Sequence, residues 1–152
     1  MTDDSKPAHI RRLFPLLNEG EWERTSDATS DYNCAAWAVG VTDANWWPEA
    51  EAPEYAWPQG VRRDGTIEAF VEGYATLGYQ ICEDDGLEPE VEKLAIYVTN
   101  LGSPQHVARQ LRNGIWTSKL GSLEDISHVA VRGLAGGRLG APKVFLSRPR
   151  AE

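Results

Sequence analysis

Leu94-Ala95-Ile96-Tyr97-Val98-Thr99 runs into the turn Asn100-Leu101-Gly102-Ser103-Pro104. Then come Gln105-His106-Val107-Ala108-Arg109-Gln110-Leu111, Arg112-Asn113-Gly114 and Ile115-Trp116-Thr117-Ser118-Lys119-Leu120. The first segment is apolar at nearly every position, the pattern of a strand buried on both faces. The second and third are strand-length and meet at Asn-Gly, a strong short-range hairpin signal. Lys143 to Arg148 adds a last strand, which Pro149 ends. Upstream the period changes from two to 3.6. Ile67, Phe70, Val71, Tyr74 and Leu77 form one apolar stripe on a helix from Asp64, its natural N-cap, to Gly78, its stop. Helices first and an antiparallel meander afterwards predict an α+β domain with the N-terminal helices on one side of the sheet.

The remaining segments carry weaker signals. Residues 1–9 read as a flexible N-terminus, and 10–150 as one domain. Ile10 to Leu17, broken by Pro15, reads as a helical turn or an arm on the body. Residues 41–63 hold Trp46-Trp47-Pro48, Pro53 and Tyr55-Ala56-Trp57-Pro58 without a regular period. That density of rings and prolines predicts an ordered loop, one that either walls a site or completes a core. Tyr79 to Cys82 is a short extended piece, and Glu83 to Glu92 an acidic solvated turn without calcium-loop spacing. Ile126 to Leu134 reads as a short helix before a glycine-rich stretch, 133–142.

Composition bounds the function. The 152 residues carry a net charge of −8, which argues against nucleic acid or an anionic membrane as partner. No run reaches the roughly 18 apolar residues of a membrane span. The N-terminus is polar and acidic, without the apolar core of a signal peptide, so a cytoplasmic location is expected, with export by a signal-independent route left open. Two cysteines, Cys34 and Cys82, do not make a disulfide framework. Cys34, His106 and His128 lack the paired spacing of a zinc site, and Gly133, Gly136, Gly137 and Gly140 lack the context of a phosphate loop. No metal and no cofactor is expected. Oligomeric state is not readable.

The chemistry centres on Asp31-Tyr32-Asn33-Cys34-Ala35-Ala36-Trp37-Ala38-Val39-Gly40. Polar residues, a cysteine, a short apolar run and a glycine read as a helix beginning at the thiol, where free N–H groups favour the thiolate. A thiol nucleophile needs a base. Of three histidines, His9 falls in the flexible N-terminus and His128 in a loop or early helix, whereas His106 opens a strand at the sheet edge. Cys82, on an apolar strand, reads as core.

A cysteine at a helix start followed by a histidine at the head of an antiparallel strand resembles the papain-like NlpC/P60 peptidases. The chain resembles still more, over roughly residues 10–150, a family of small bacterial and fungal proteins of unknown function. The shared motifs are Tyr32-Asn33-Cys34-Ala35-Ala36-Trp37-Ala38, Trp46-Trp47-Pro48, Gln105-His106-Val107-Ala108-Arg109-Gln110, Trp116-Thr117-Ser118-Lys119-Leu120-Gly121 and Asp125-Ile126-Ser127-His128. The papain-like resemblance implies a cysteine hydrolase or acyl transferase acting on an amide, isopeptide or thioester of a peptide or protein. Cys34 would be the nucleophile and His106 the base. The sequence departs from the NlpC/P60 pattern, which has Asp before the nucleophile; here Asn33 stands there.

The third member of such a site sits on the strand after the histidine, and the hairpin register selects it. A two-residue loop puts Lys119 diagonal to His106. A three-residue loop with a glycine bulge puts Ser118 on the face of His106, opposite Ala108. Ser118 is the expected third catalytic residue, with Lys119 and His128 as alternatives. Asn33, Trp46, Trp47, Trp57 and Gln110 are expected around the substrate cleft. The competing reading is a non-catalytic binding or immunity-type module on the same scaffold, with Cys34 as a core thiol.

Overall fold

A computed structural model describes residues 6–18, 20–52 and 54–150. Residues 1–5, the greater part of the expected flexible N-terminus, lie outside the described residues. The helices are α1 (Ala8–Leu13), α2 (Cys34–Trp37) and α3 (Ile67–Ala75). The strands are β1 (Trp22–Arg24), β2 (Gln80–Cys82), β3 (Val91–Val98), β4 (Pro104–Gln110), β5 (Trp116–Lys119), β6 (Asp125–His128) and β7 (Ala141–Pro149). A 3-10 turn spans Val131–Leu134. The strands form one antiparallel sheet in the order β1-β6-β5-β4-β3-β7-β2.

The apolar run at 94–98 is central, with β4 on one side and β7 on the other. Its alternate side chains feed two cores. Leu94, Ile96 and Val98 pack with Val107, Leu146, Phe70, Tyr74 and the alanines of α2. Ala95 and Tyr97 pack with Ala108, Trp116, Ile126, α1 residue Ile10 and the 3-10 turn. Helical segments therefore cover both faces of the sheet, not one. The expected meander is also interrupted, because the last strand returns to lie between β3 and β2. An apolar run with no polar face needs cover on both sides.

Three segments differ from the expected elements. Residues 125–128 form a strand rather than the start of a helix, because they are paired on both edges, to β5 and to β1. Thr66, not Asp64, caps α3 by accepting from the Ala69 N–H at 3.1 Å, while the Asp64 carboxylate binds the Thr66 hydroxyl at 2.6 Å. His9, expected in a flexible tail, lies in α1 and bonds Glu124 at 3.0 Å.

The 41–63 segment is held by rings. Trp46 meets Trp57 edge-on, and Trp47 and Trp57 both meet Phe70 edge-on at 5.0 and 5.4 Å. Gly73 is what admits Trp57: a Cβ there would lie 2.3 Å from the Trp57 ring. Between β4 and β5 the loop has three residues. Leu111 N–H donates to Ile115 O at 2.8 Å, and Gly114 takes φ +90°. Arg109 faces Thr117 and Gln110 faces Trp116. This is the register that puts Ser118 on the face of His106.

Candidate functional site

Asn33 sets the geometry of α2. Its Oδ1 accepts from Ala36 N–H at 3.2 Å and from Trp46 N–H at 3.0 Å, and its Nδ2 donates to Trp46 O at 2.7 Å. An aspartate could cap the helix but could not donate to that carbonyl, which gives a physical reason for the amide before Cys34. Tyr74 OH donates to Ala35 O at 2.8 Å, and Trp37 Nε1 donates to Thr117 Oγ1 at 3.1 Å. Helix α2 is thereby clamped to α3 and to the sheet.

The Cys34 thiol is buried near the open end of the β4–β5 pair. Ladder bonds alternate along an antiparallel pair, so the Leu111–Ile115 and Arg109–Thr117 pairs should be followed by Val107–Lys119. The β4–β5 ladder stops at Arg109–Thr117 instead. The Val107 N–H favours the Cys34 thiolate, and the Lys119 carbonyl accepts from Gly121 N–H at 3.0 Å. Burial pushes the Cys34 thiol up to about 11, against the opposing pull of the N–H groups of Val107, Ala35 and Cys34 and the charge of Lys119. Cys34 is thus a neutral thiol near pH 7.

His106 lies on the other face. Val107 points into the core under α2, and its neighbour alternates away, stacking edge-on against Tyr97 at 5.1 Å. The His106 Nε2 is buried with no hydrogen-bond partner. Burial, with His128 as the second cause, pulls the imidazole down to about 3. Cys34 and His106 are nevertheless brought to one cavity of about 700 Å3, which wraps round the open end of the β4–β5 pair. On the α1 side it is lined by Leu13, Phe14, Leu120, Leu123 and Leu139, and on the α2 side by Asn33, Asn45 and Trp47.

The other expected site residues separate. Ser118 is fully buried on the His106 face, but its hydroxyl bonds His128 Nε2 at 2.8 Å. His128 Nδ1 is 3.0 Å from Ala130 O, which can only accept, so Nδ1 carries the proton and Ser118 donates to Nε2. Burial pulls His128 down to about 4. Of the cleft residues, Asn33 and Trp47 line the cavity, whereas Trp46 and Trp57 pack in the ring cluster and Gln110 donates to Asp85 O. Asn45, Glu54 and Tyr55, from the loop expected to wall the site but not singled out in it, line the cavity. The aromatic density of the loop pointed to the segment, but its fold decides which rings face the opening.

Residues 23–147 match the family model described as "Domain of unknown function (DUF7689)". The chain is a member of the DUF7689 family. No curated protein and no solved structure matches it. Cys34, His106, Ser118 and His128 of this DUF7689 chain fall within the matched span, whereas the cavity residues Leu13 and Phe14 precede it. Among the described residues there is no group of three His, Cys, Asp or Glu able to hold a metal ion, and no helix is long and apolar enough to cross a membrane.

Beside the thiol, the DUF7689 chain buries a polar cluster on the α2 face. Lys119 Nζ donates to Thr29 O at 2.7 Å and to Gly121 O at 2.5 Å, with its ammonium 5.0 Å from the Tyr32 ring centre. Asp125, paired with Lys119 across the strands, accepts from the hydroxyls of Tyr32 and Thr25. Lys119→Met should cost about 2 kcal/mol, because the carbonyls of half-buried Thr29 and of Gly121 lose a charged donor that is itself fully buried. Urea unfolding at pH 7 measures this, and a loss below about 0.5 kcal/mol would show that the ammonium does not hold the 25–32 segment.

Proposed function

We propose that this DUF7689 chain is a binding module that takes a compact ligand in the cavity at the open end of β4 and β5. One observation carries the reading: a cavity of about 700 Å3 is lined from both sheet faces and has in its wall a buried imidazole whose Nε2 has no partner among the described residues. Volumes of this order suit a small molecule or a peptide end. The neutral thiol then forms part of the wall rather than a nucleophile.

The test is occupancy. The neutral dye N-phenyl-1-naphthylamine should bind at one per chain, and Leu123→Trp, which fills the apolar end from a half-buried position, should abolish binding while the melting temperature stays within a few degrees. Dye binding undiminished in Leu123→Trp, or dye binding absent from the wild type, would overturn the reading.

A second reading is a papain-like cysteine hydrolase or acyl transferase acting on an amide, isopeptide or thioester. It is favoured by the convergence of three N–H groups on the Cys34 sulfur in a cavity shared with His106. In that reaction the sulfur attacks the carbonyl, the imidazole takes the thiol proton and returns it to the leaving group, and the N–H groups hold the oxyanion. It requires His106 to leave Tyr97 and reach the sulfur across the open end of the β4–β5 pair. Alkylation separates the two readings. For the binding module, iodoacetamide modifies Cys34 slowly below pH 8, with a rate that climbs toward about pH 11 and ignores His106→Ala. Rapid modification at pH 6 that disappears in His106→Ala would instead establish the hydrolase.

A further inference from the structure

The cavity walls restrict what can bind, if the binding reading holds. Five of the lining side chains, Leu13, Phe14, Leu120, Leu123 and Leu139, are apolar and lie on the α1 side, where the core cluster beneath them is also apolar. A hydrocarbon body fits that end. The polar groups on the other wall are largely spent. Asn33 uses both ends of its amide on Ala36 and Trp46, and Asn45 Nδ2 is committed to Ser30 O.

His106 is different. The residue is only 2 % exposed, it lines the cavity, and its Nε2 has no partner among the described residues. A buried polar atom left without a hydrogen bond is costly, and native proteins keep few of them. The charges nearby do not favour an ionic ligand. His128 lies close enough to oppose protonation of His106, and the imidazole stays neutral well below pH 7. The Cys34 thiol is neutral as well. Lys119 and Asp125 are occupied within the cluster on the opposite face. The remaining charged liners, Glu54 and Arg138, are exposed and of opposite sign, so they give the mouth no net preference. A charged head would be taken from water into a wall with no counter-ion, whereas an uncharged hydrogen-bonding head needs only the neutral His106 imidazole.

We propose that the ligand is an uncharged amphipathic small molecule, with a hydrocarbon body against Leu13, Phe14, Leu120, Leu123 and Leu139 and an amide or hydroxyl head hydrogen-bonded to His106 Nε2. This rests on the binding reading given above, and the test separates the two. Four probes share one body: 4-phenylbutanamide, 4-phenylbutanoate, 4-phenylbutylamine and butylbenzene. Each is titrated at pH 7.5 by displacement of N-phenyl-1-naphthylamine. The amide should bind at least about ten-fold tighter than the carboxylate or the ammonium, and roughly five-fold tighter than butylbenzene. In His106→Phe, which keeps an aromatic ring against Tyr97, the amide should lose its advantage over butylbenzene. Should that variant fail to fold, the nitrogen-15 shift of His106 Nε2 in the wild type gives the same answer, moving on titration with the amide and staying still with butylbenzene. A carboxylate that binds as tightly as the amide would overturn the ligand class while leaving the binding reading intact, as would an amide advantage that survives in His106→Phe or an Nε2 shift that ignores the amide. If neither the dye nor any of the four probes binds, the binding reading falls and the ligand class with it.

Discussion

Between pH 7 and pH 4.5 the protein should lose roughly 3–5 kcal/mol of stability through two histidines. His106 and His128 are held neutral in the fold at about 3 and about 4, below the ordinary histidine value of 6.5. In the unfolded chain both take up a proton as the pH falls through about 6.5. The unfolded state then binds more protons than the folded one, so the stability fully present above 6.5 is lost steadily on acidification. The loss ends only where the folded imidazoles themselves titrate, near 4 and 3. Most carboxylates titrate below this window, which isolates the histidine contribution. Urea unfolding at half-unit pH steps measures the slope, and His128→Gln should remove about half of it. A flat profile from 7 to 4.5 would mean that the imidazoles are protonated in the fold, and the neutral head-group recognition at His106 would fall with it.

Phe70→Ala should cost about 3–5 kcal/mol and abolish dye binding as well. The ring is fully buried and meets Trp47, Trp57 and Tyr74. Its removal leaves a void that the neighbouring rings cannot close without turning, because Trp57 is also held by Trp46 and Tyr74 by Ala35 O and Tyr79. The link to binding runs through Trp47, which meets Phe70 edge-on and lines the cavity. Calorimetry gives the stability loss, and dye titration below the lowered melting temperature gives the binding. A loss under about 1 kcal/mol would show that the ring cluster relaxes freely.

Much of this architecture was readable from local chemistry. The 94–99 run could only be a doubly buried strand, and the apolar stripe of Ile67, Phe70 and Tyr74 could only face a core. Cys34 at a helix start followed from a polar cluster and a glycine stop. What failed to show were features that depend on pairing at a distance. β1 is three residues long and exists because Trp22, Glu23 and Arg24 find β6. Residues 125–128 are a strand because both their edges are claimed. The site depended on parity. His106 was expected to open its strand, but the strand begins two residues earlier, at Pro104, and whether the imidazole faced α2 rested on which alternate side chain met that helix; Val107 took the place. Ser118 shares the face of His106, as the three-residue hairpin requires, yet a second histidine two strands further out holds its hydroxyl. No spacing in one strand could have revealed that competitor.

The open end of the β4–β5 pair also has a mechanical side. The strands pair at Arg109–Thr117 and Gln110–Trp116 and no farther, and the buried Cys34 thiol lines the cavity at that end. An adduct on so buried a sulfur would have to displace the groups packed around it. The width of the opening, and so the passage between the two sides of the sheet, is therefore tied to the chemical state of one side chain.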